Sequence, residues 1–469
     1  MGSVRRNFRA LRATLAVALL LPAAVALHPR AAAAGGQPAS PPNIVLILTD
    51  DQRWDSLWAM PHVRELLVDR GMEFTNAFVS NSVCCPSRTS ILTGRYSHST
   101  GVYTNAYPYG GYHVFDDSST VATWLHGAGY RTALIGKYLN QYKGTMTIPP
   151  GWDRWFAFEG TAYFNYKVND DGVLRSFGGS PEDYSTDVLA REAVDFVKQG
   201  NSPFFLYFAP FAPHGPAKPA PADETAFSDL APWRPPSYNE IDVSDKPDWV
   251  KSLPRLGARR RQRVDDLRVD QYRSLQAVDR SVAALVDALS QRGELDSTMI
   301  VFMSDNGYSW GEHRWLGKQA PYEESIRVPM VIRYDPLTQQ PSTDDHLVLN
   351  IDLAPTWAAL AGVDAPGAEG ASLVPVLSSE PDAPWRHEFL LEHLWDGSKP
   401  IPTYCGVRTE DHAYVVYGDG EQELYDVSAD PYERRNRAGA SSAAGTISAL
   451  GADLAELCNP PPPGYAPNP

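Results

Sequence analysis

Apolar residues along the chain fall into a few short unbroken runs rather than strict alternation. Asn43 to Leu48 reads NIVLIL, Thr132 to Ile135 reads TALI, Phe204 to Phe208 reads FFLYF and Met299 to Met303 reads MIVFM. Runs this short and continuous predict strands buried on both faces. Between them the period changes. Leu189 to Val197 has a helical pattern, and Tyr272, Leu275, Val278, Val282, Leu285 and Leu289 share one face of a longer helix. Strands alternating with helices predict an α/β fold with a large, mostly parallel sheet flanked by helices. In such sheets the ligand site lies off the carboxyl ends of the strands. Each run ends there in polar residues: Asp50-Asp51, Lys137, the segment FAPHGP with His214, and Asp305-Asn306-Gly307. The pattern therefore predicts one site containing Asp50, Asp51, Lys137, His214, Asp305 and Asn306. Taken singly, each has a plainer reading as a turn residue, a solvated loop residue or a surface lysine. Four strand ends converging is what carries the prediction.

Asn350 to Ala361 reads as a helix packed on the main sheet. Ala217 to Leu256 is Pro-rich and predicts an irregular loop over the site. From Pro384 the pattern shifts to short alternating strands at Tyr404 to Arg408, Ala413 to Tyr417 and Glu423 to Tyr425, an antiparallel meander. The chain thus divides into a main domain over 41–380, a small antiparallel subdomain over 384–458 and a Pro-rich tail over 459–469 expected to lack structure. Residues 1–34 differ from the rest. Arg5, Arg6, Arg9 and Arg12 precede an apolar run from Ala13 to Leu27 and a small-residue stretch, which predicts a signal peptide and an exported protein. Arg5-Arg6-Asn7-Phe8 also resembles a twin-arginine export signal, with a plain secretory head as the alternative. The run falls short of the roughly 20 residues a spanning helix needs, so no stable membrane anchor is expected.

Composition adds two exclusions. The 469 residues carry a net charge of −15, which argues against general nucleic-acid binding. The five arginines between Arg255 and Arg263 fit either a solvated helix entry or contact with a polyanion, and the first is the simpler reading. Histidines and cysteines show no zinc-type spacing. Three carboxylates and an amide oxygen suit a hard divalent cation instead, calcium or magnesium.

The densest motif runs from Cys84 to Arg95 and reads CCPSRTSILTGR. Pro86 suits a first helical turn, Ser87 and Thr89 are placed to satisfy free amides, and Gly94 would end the helix. A cysteine at a helix N-terminus beside Arg88 sits in a field that favours anions and a lowered pKa. The string C-x-P-S-R-x-x-x-L-T-G-R resembles the signature of the type I sulfatases, at every fixed position. The family has an alkaline-phosphatase-like fold. The resemblance extends from Asn43 to about Asn436, where ELYDVSADPYERRN is similar to the closing motif of the C-terminal subdomain. It implies that a formylglycine-generating enzyme converts Cys84 to formylglycine (3-oxoalanine), whose hydrate is the nucleophile. It further implies metal ligation by Asp50, Asp51, Asp305, Asn306 and an oxygen at position 84, most simply to calcium. Arg88 would orient the hydrate, Lys137 bind sulfate, and His214 and Lys318 assist departure of the alcohol.

GKYLNQY, VYTN, CCPSR and IPPGWDRW followed by FNY resemble N-acetylglucosamine-6-sulfatases and heparan sulfate endosulfatases. Many sulfatases have a histidine where this chain has Leu139, and that histidine serves as base for sulfate elimination. His98 is the substitute candidate, as base or substrate contact. Ser309 stands where the subgroup usually has another histidine. The implied activity is hydrolysis of a sulfate ester of a carbohydrate, of glucosamine 6-sulfate type. Alternatives are a phosphodiester or phosphonate monoester hydrolase, a general arylsulfatase, or an inactive carbohydrate-binding relative. With Cys84 converted and Cys85 buried beside it, Cys405 and Cys458 remain as the natural disulfide pair in an exported protein.

Overall fold

The computed structural model describes residues 41–338, 340–380 and 384–467. The signal-peptide expectation lies outside them. Four parallel strands form the centre: β1 (Asn43–Thr49), β2 (Arg131–Gly136), β3 (Phe204–Ala209) and β4 (Thr298–Ser304), in spatial order β4-β1-β3-β2. Alternate residues of β1 enter opposite cores. Val45 and Ile47 join one, and Ile44, Leu46 and Leu48 join the other. Burial on both faces is why the run carries no polar alternation. Six further strands complete a mixed ten-stranded sheet.

Register puts the polar ends level. Thr49 pairs with Ser304, Ile47 with Phe208, and Gly136 with Ala209. Asp50, Lys137, Asp305 and the segment after Ala209 therefore leave the sheet along one edge. Gly136 has φ of 122°, and a Cβ there would overlap the Ala209 carbonyl oxygen. Only glycine lets the chain turn Lys137 into the site at that point.

Helix α1 (Cys84–Thr93) is buried at all ten residues and ends at Gly94 with φ of 70°. The expected Ser87 and Thr89 caps do not form. The Cys85 amide instead donates to Asn105 Oδ1 at 2.9 Å, and Thr89 Oγ1 donates to the Pro86 carbonyl at 2.8 Å. Helices α2 (Ser185–Lys198) and α3 (Ala258–Gln291) cover one sheet face, and α4 (Leu353–Ala361) lies in the core of the other. The arginines from Arg259 to Arg263 are exposed on the first turns of α3.

A four-stranded antiparallel sheet follows: β5 (Glu388–His393), β6 (Tyr404–Thr409), β7 (His412–Tyr417) and β8 (Gln422–Asp426). Its apolar face shares one core with the main domain, where Phe389, Tyr404 and Tyr417 meet Phe78, Tyr322 and Leu349. Helix α5 (Ala444–Leu457) closes the other face, and Cys458 is bonded to Cys405 across 6.3 Å between Cα atoms. The tail departs from expectation. Tyr465 packs against that second core and donates from its hydroxyl to the Val416 carbonyl at 3.2 Å, because a ring can bury there without a long apolar run.

Candidate active site

The carboxyl edge of the sheet brings Asp50, Asp51, Cys84 and His214 together, with ligand atoms mutually within 4.8 Å. Cys84 opens α1, and its Sγ lies 3.5 Å from Asp50 Oδ1 and 2.7 Å from Lys318 Nζ. Lys318 also contacts Asp51, and Lys137 contacts Asp50. Arg88, one turn along α1, donates from Nε to Asp305 Oδ2 at 2.8 Å and from Nη1 to the Lys137 carbonyl at 2.8 Å. Its Nη2 is buried 3.6 Å from Asp50 without a hydrogen-bond partner, a donor left for something else. Asp51 adopts φ of 67°, a left-handed turn that lets consecutive carboxylates face the same space.

His214 is aimed by its neighbours. Its Nδ1–H donates to the Gly215 carbonyl at 2.8 Å, and Phe211 stacks on the ring at 4.7 Å. Nε2 then faces Asp51 at 3.6 Å. Tyr163 fixes the backbone by donating to the His214 carbonyl at 2.7 Å.

Burial pushes the Asp50 carboxyl up, but Lys137, His214, Arg88 and Lys318 together outweigh it and hold it well below the carboxylate range. Burial and the Asp50 charge raise Asp305. The same two causes push the Cys84 thiol up to about 12, the reverse of the lowered value expected from the helix terminus. Field at a helix end does not survive full desolvation beside a carboxylate. The lysines stay charged: burial alone would lower Lys318, and Asp51 and its neighbours more than reverse it.

The donors fit a hard divalent cation. Asp50 and Asp51 lie together in the cluster, Asp305 joins them through Oδ1, which accepts the Asp51 amide at 3.3 Å, and Asn306 Oδ1 is buried with no partner while its Nδ2 donates to Asp51 Oδ1 at 2.6 Å. An all-oxygen set of this kind suits calcium or magnesium.

Other expectations land elsewhere. His98 is clamped between Glu392 (3.2 Å from Nδ1) and Glu369 (3.6 Å from Nε2), neither of them in the cluster. Burial would lower its pKa, but hydrogen bonds to Glu369 and Glu392 raise it to about 9. A protonated imidazole held by two carboxylates is a poor base. Leu139 is buried in the apolar core, and Ser309 is buried against Ser325 at 3.3 Å. Sequence reading passed over Gln52 and Asn105. Gln52 donates from its backbone to Ser304 Oγ at 2.9 Å and leaves Oε1 buried and unpaired. Asn105 anchors the amide next to Cys84; its one signal was its place in VYTN.

Comparison with known proteins agrees with this geometry. The family model for sulfatase matches residues 42–363, and that for the C-terminal part of N-sulphoglucosamine sulphohydrolase matches 311–459. The chain is 37% identical over 369 residues to an extracellular sulfatase SULF-1 homolog of Drosophila melanogaster, covering 75% of this chain and 33% of that protein. A putative extracellular sulfatase Sulf-1 homolog of Caenorhabditis elegans is 36% identical, with 75% of this chain and 52% of that protein covered. The chain therefore spans between one third and about half the length of these two relatives. Human N-acetylglucosamine-6-sulfatase is 34% identical over 385 residues, covering 78% of this chain and 69% of that one. Among solved structures, one in complex with its substrate D-glucosamine-2-N,6-O-disulfate superposes with a TM-score of 0.80 at 26% identity, covering 90% of this chain and 98% of that one. The phosphonate monoester hydrolase of Agrobacterium radiobacter superposes with a TM-score of 0.72 at 21% identity, over 89% of this chain and 95% of that one, which is a likeness of fold. With the family model matching more than half of its length, the chain belongs to the sulfatase family.

Proposed function

We propose that the protein is an exported sulfatase that hydrolyses a sulfate ester of a carbohydrate, of glucosamine 6-sulfate type. Asp50, Asp51, Asp305 and Asn306 would hold one divalent cation, with calcium the first choice, and Cys84 would act after conversion to formylglycine. The observation that carries the reading is the setting of Cys84. It lies at the first turn of a buried helix, between Asp50 and Lys318, with Arg88 and Lys137 beside it.

Converted Cys84 would supply a hydrated aldehyde, with one hydroxyl as the nucleophile toward sulfur and the other as the group whose loss of a proton expels sulfate and restores the aldehyde. The cation would neutralise charge on the sulfate oxygens. The chain's own groups do the rest. The free Arg88 Nη2 orients the oxygen at position 84. Lys137 binds a sulfate oxygen. Lys318 faces the position-84 atom directly and stabilises negative charge that builds at the bridging oxygen. His214, aimed through Nε2, hands a proton to the departing alcohol. The glucosamine 6-sulfate assignment rests on relatives named N-acetylglucosamine-6-sulfatase and on the disulfate-bound neighbour.

A screen of sulfated disaccharides, with desulfation read by mass, tests it. Loss of the 6-sulfate from glucosamine is the expected result. Turnover of bis-p-nitrophenyl phosphate well above p-nitrophenyl sulfate, with no disaccharide desulfated, would overturn it in favour of a phosphodiesterase or phosphonate hydrolase.

A further inference from the structure

A second cluster lies apart from the active site. His313, Glu324 and Glu433 bring one ligand atom each within 4.8 Å of one another, and the three residues are 1%, 7% and 1% exposed. They come from three segments: a turn after the Ser309–Trp310 strand, the short helix Glu323–Ile326, and the turn following β8.

The ring of His313 is oriented from outside the cluster. Its Nδ1–H donates to Glu240 Oε1 at 2.7 Å, and its face stacks on Tyr322 at 4.0 Å. Nε2 is then the atom turned inward, and it is buried with no hydrogen-bond partner. Glu324 Oε2 is likewise buried and unpartnered. Of the Glu433 carboxylate, Oε2 accepts the Glu323 amide at 2.9 Å. The nearby cations are committed elsewhere. Arg53 pairs with Asp55 and Glu312, Arg408 with Glu323, and Lys246 donates to Tyr425 and to the Glu433 backbone carbonyl. Among the described residues no lysine or arginine forms an ion pair with the Glu324 or Glu433 carboxylates. Arg53 and Lys246 act on Glu324 and Glu433 only from beyond ion-pair distance, so two buried carboxylates are left without a directly bonded positive charge.

We propose that His313 Nε2, Glu324 and Glu433 bind a divalent transition ion of the zinc class, as a structural site separate from the active-site cation. An imidazole nitrogen with two carboxylates suits zinc better than calcium, which takes oxygen ligands. The Glu240 contact is the outer partner that metal-bound histidines commonly have, since it fixes both tautomer and ring angle. The site would tie the turn that carries His313, five residues before Lys318, to the segment that closes the C-terminal sheet.

The test is metal content of full-length protein in the Asp51→Ala background, so that the active-site ion does not contribute. After zinc loading and gel filtration, one zinc per chain is expected, together with a rise in Tm over the chelated protein. Adding His313→Gln or Glu433→Gln should abolish both. Cobalt(II) in place of zinc should give visible absorption from a nitrogen-and-oxygen site, lost in His313→Gln. No stoichiometric zinc, or zinc retained by both glutamine variants, would overturn the site and mean that bound protons neutralise the carboxylates. If the glutamine variants fail to fold, an unchanged Tm of the Asp51→Ala parent in zinc would overturn it equally. Cys84→Ala protein, inactive under the proposed function, should keep the zinc, so the two readings fail separately.

Discussion

At the scale of single residues, the site is a ring of charges that hold one another in place. Asp50 and Asp51 face Lys137, Lys318 and His214, and Arg88 binds Asp305. Burial and the Asp50 charge hold the Cys84 thiol up at about 12, which fits the proposed conversion rather than direct use of a thiolate. The peptide carrying position 84 should be lighter by about 18 Da than its unmodified form. Full activity with an alkylatable thiol at 84 would refute conversion. Lys318→Ala should lower kcat by about 10²- to 10⁴-fold with a smaller change in KM, because the ammonium faces the reacting atom rather than distant sugar. A pure KM effect in steady-state kinetics would remove it from the chemistry. Asp51→Ala should lose active-site metal and turnover together, read by elemental analysis and assay. Most of this cluster was legible in the sequence because Asp50, Asp51, Lys137, His214 and Asp305 follow strand ends and Cys84 and Arg88 share one helix motif. His98 was not: nothing in RYSHST signals that Glu369 and Glu392, far along the chain, close on its ring.

At the scale of elements, two junctions decide where the charges go. Gly136 ends β2 in a conformation that other residues rarely adopt, with the Ala209 carbonyl against it. Gly136→Ala should cost about 1–3 kcal/mol of stability from overpacking and reduce activity by displacing Lys137. A variant with wild-type kcat and Tm would show that the strand end gives way without moving the lysine. The second junction is the short helix Ser97–Thr100 against β5, where His98 meets Glu392. The folded pKa of His98, about 9, lies above its ordinary value of 6.5. The pair therefore stabilises fully below pH 6.5 and loses that contribution as pH rises through about 9. The Tm difference between wild type and His98→Ala should be largest near pH 6 and shrink above pH 9. A difference independent of pH would mean that His98 stabilises by packing alone.

At the scale of the whole molecule, the antiparallel sheet is built into the catalytic unit. Its apolar face completes a core begun by Phe78 and Tyr322, and Tyr404 donates to the Gln319 carbonyl next to Lys318 at 3.0 Å. The Cys405–Cys458 bond, spanning 53 residues, fastens α5 over the opposite face. Closing a loop of that length restricts the unfolded chain by about 4 kcal/mol as an upper figure. Cys458→Ser should lower stability by about 2–4 kcal/mol in denaturant titration while leaving KM unchanged, since α5 lies away from the cluster. Unchanged stability, or a raised KM with unchanged stability, would contradict this.

The sequence alone determined the central sheet, the long helices, the Cys84 helix with its glycine stop, and the cluster of acids and lysines. Each of these is local: burial on both faces leaves an apolar run, helical burial leaves a period, and ligand geometry leaves polar residues at strand ends. Tertiary structure decided what depends on residues distant in the chain. It sent His98 to a carboxylate clamp, raised the Cys84 thiol by burying it beside Asp50, and packed Tyr465 of the Pro-rich tail onto the second core. It also assembled His313, Glu324 and Glu433, which no spacing along the chain announces. Charge interactions depend on distance and desolvation in space, and neither is written in the order of residues.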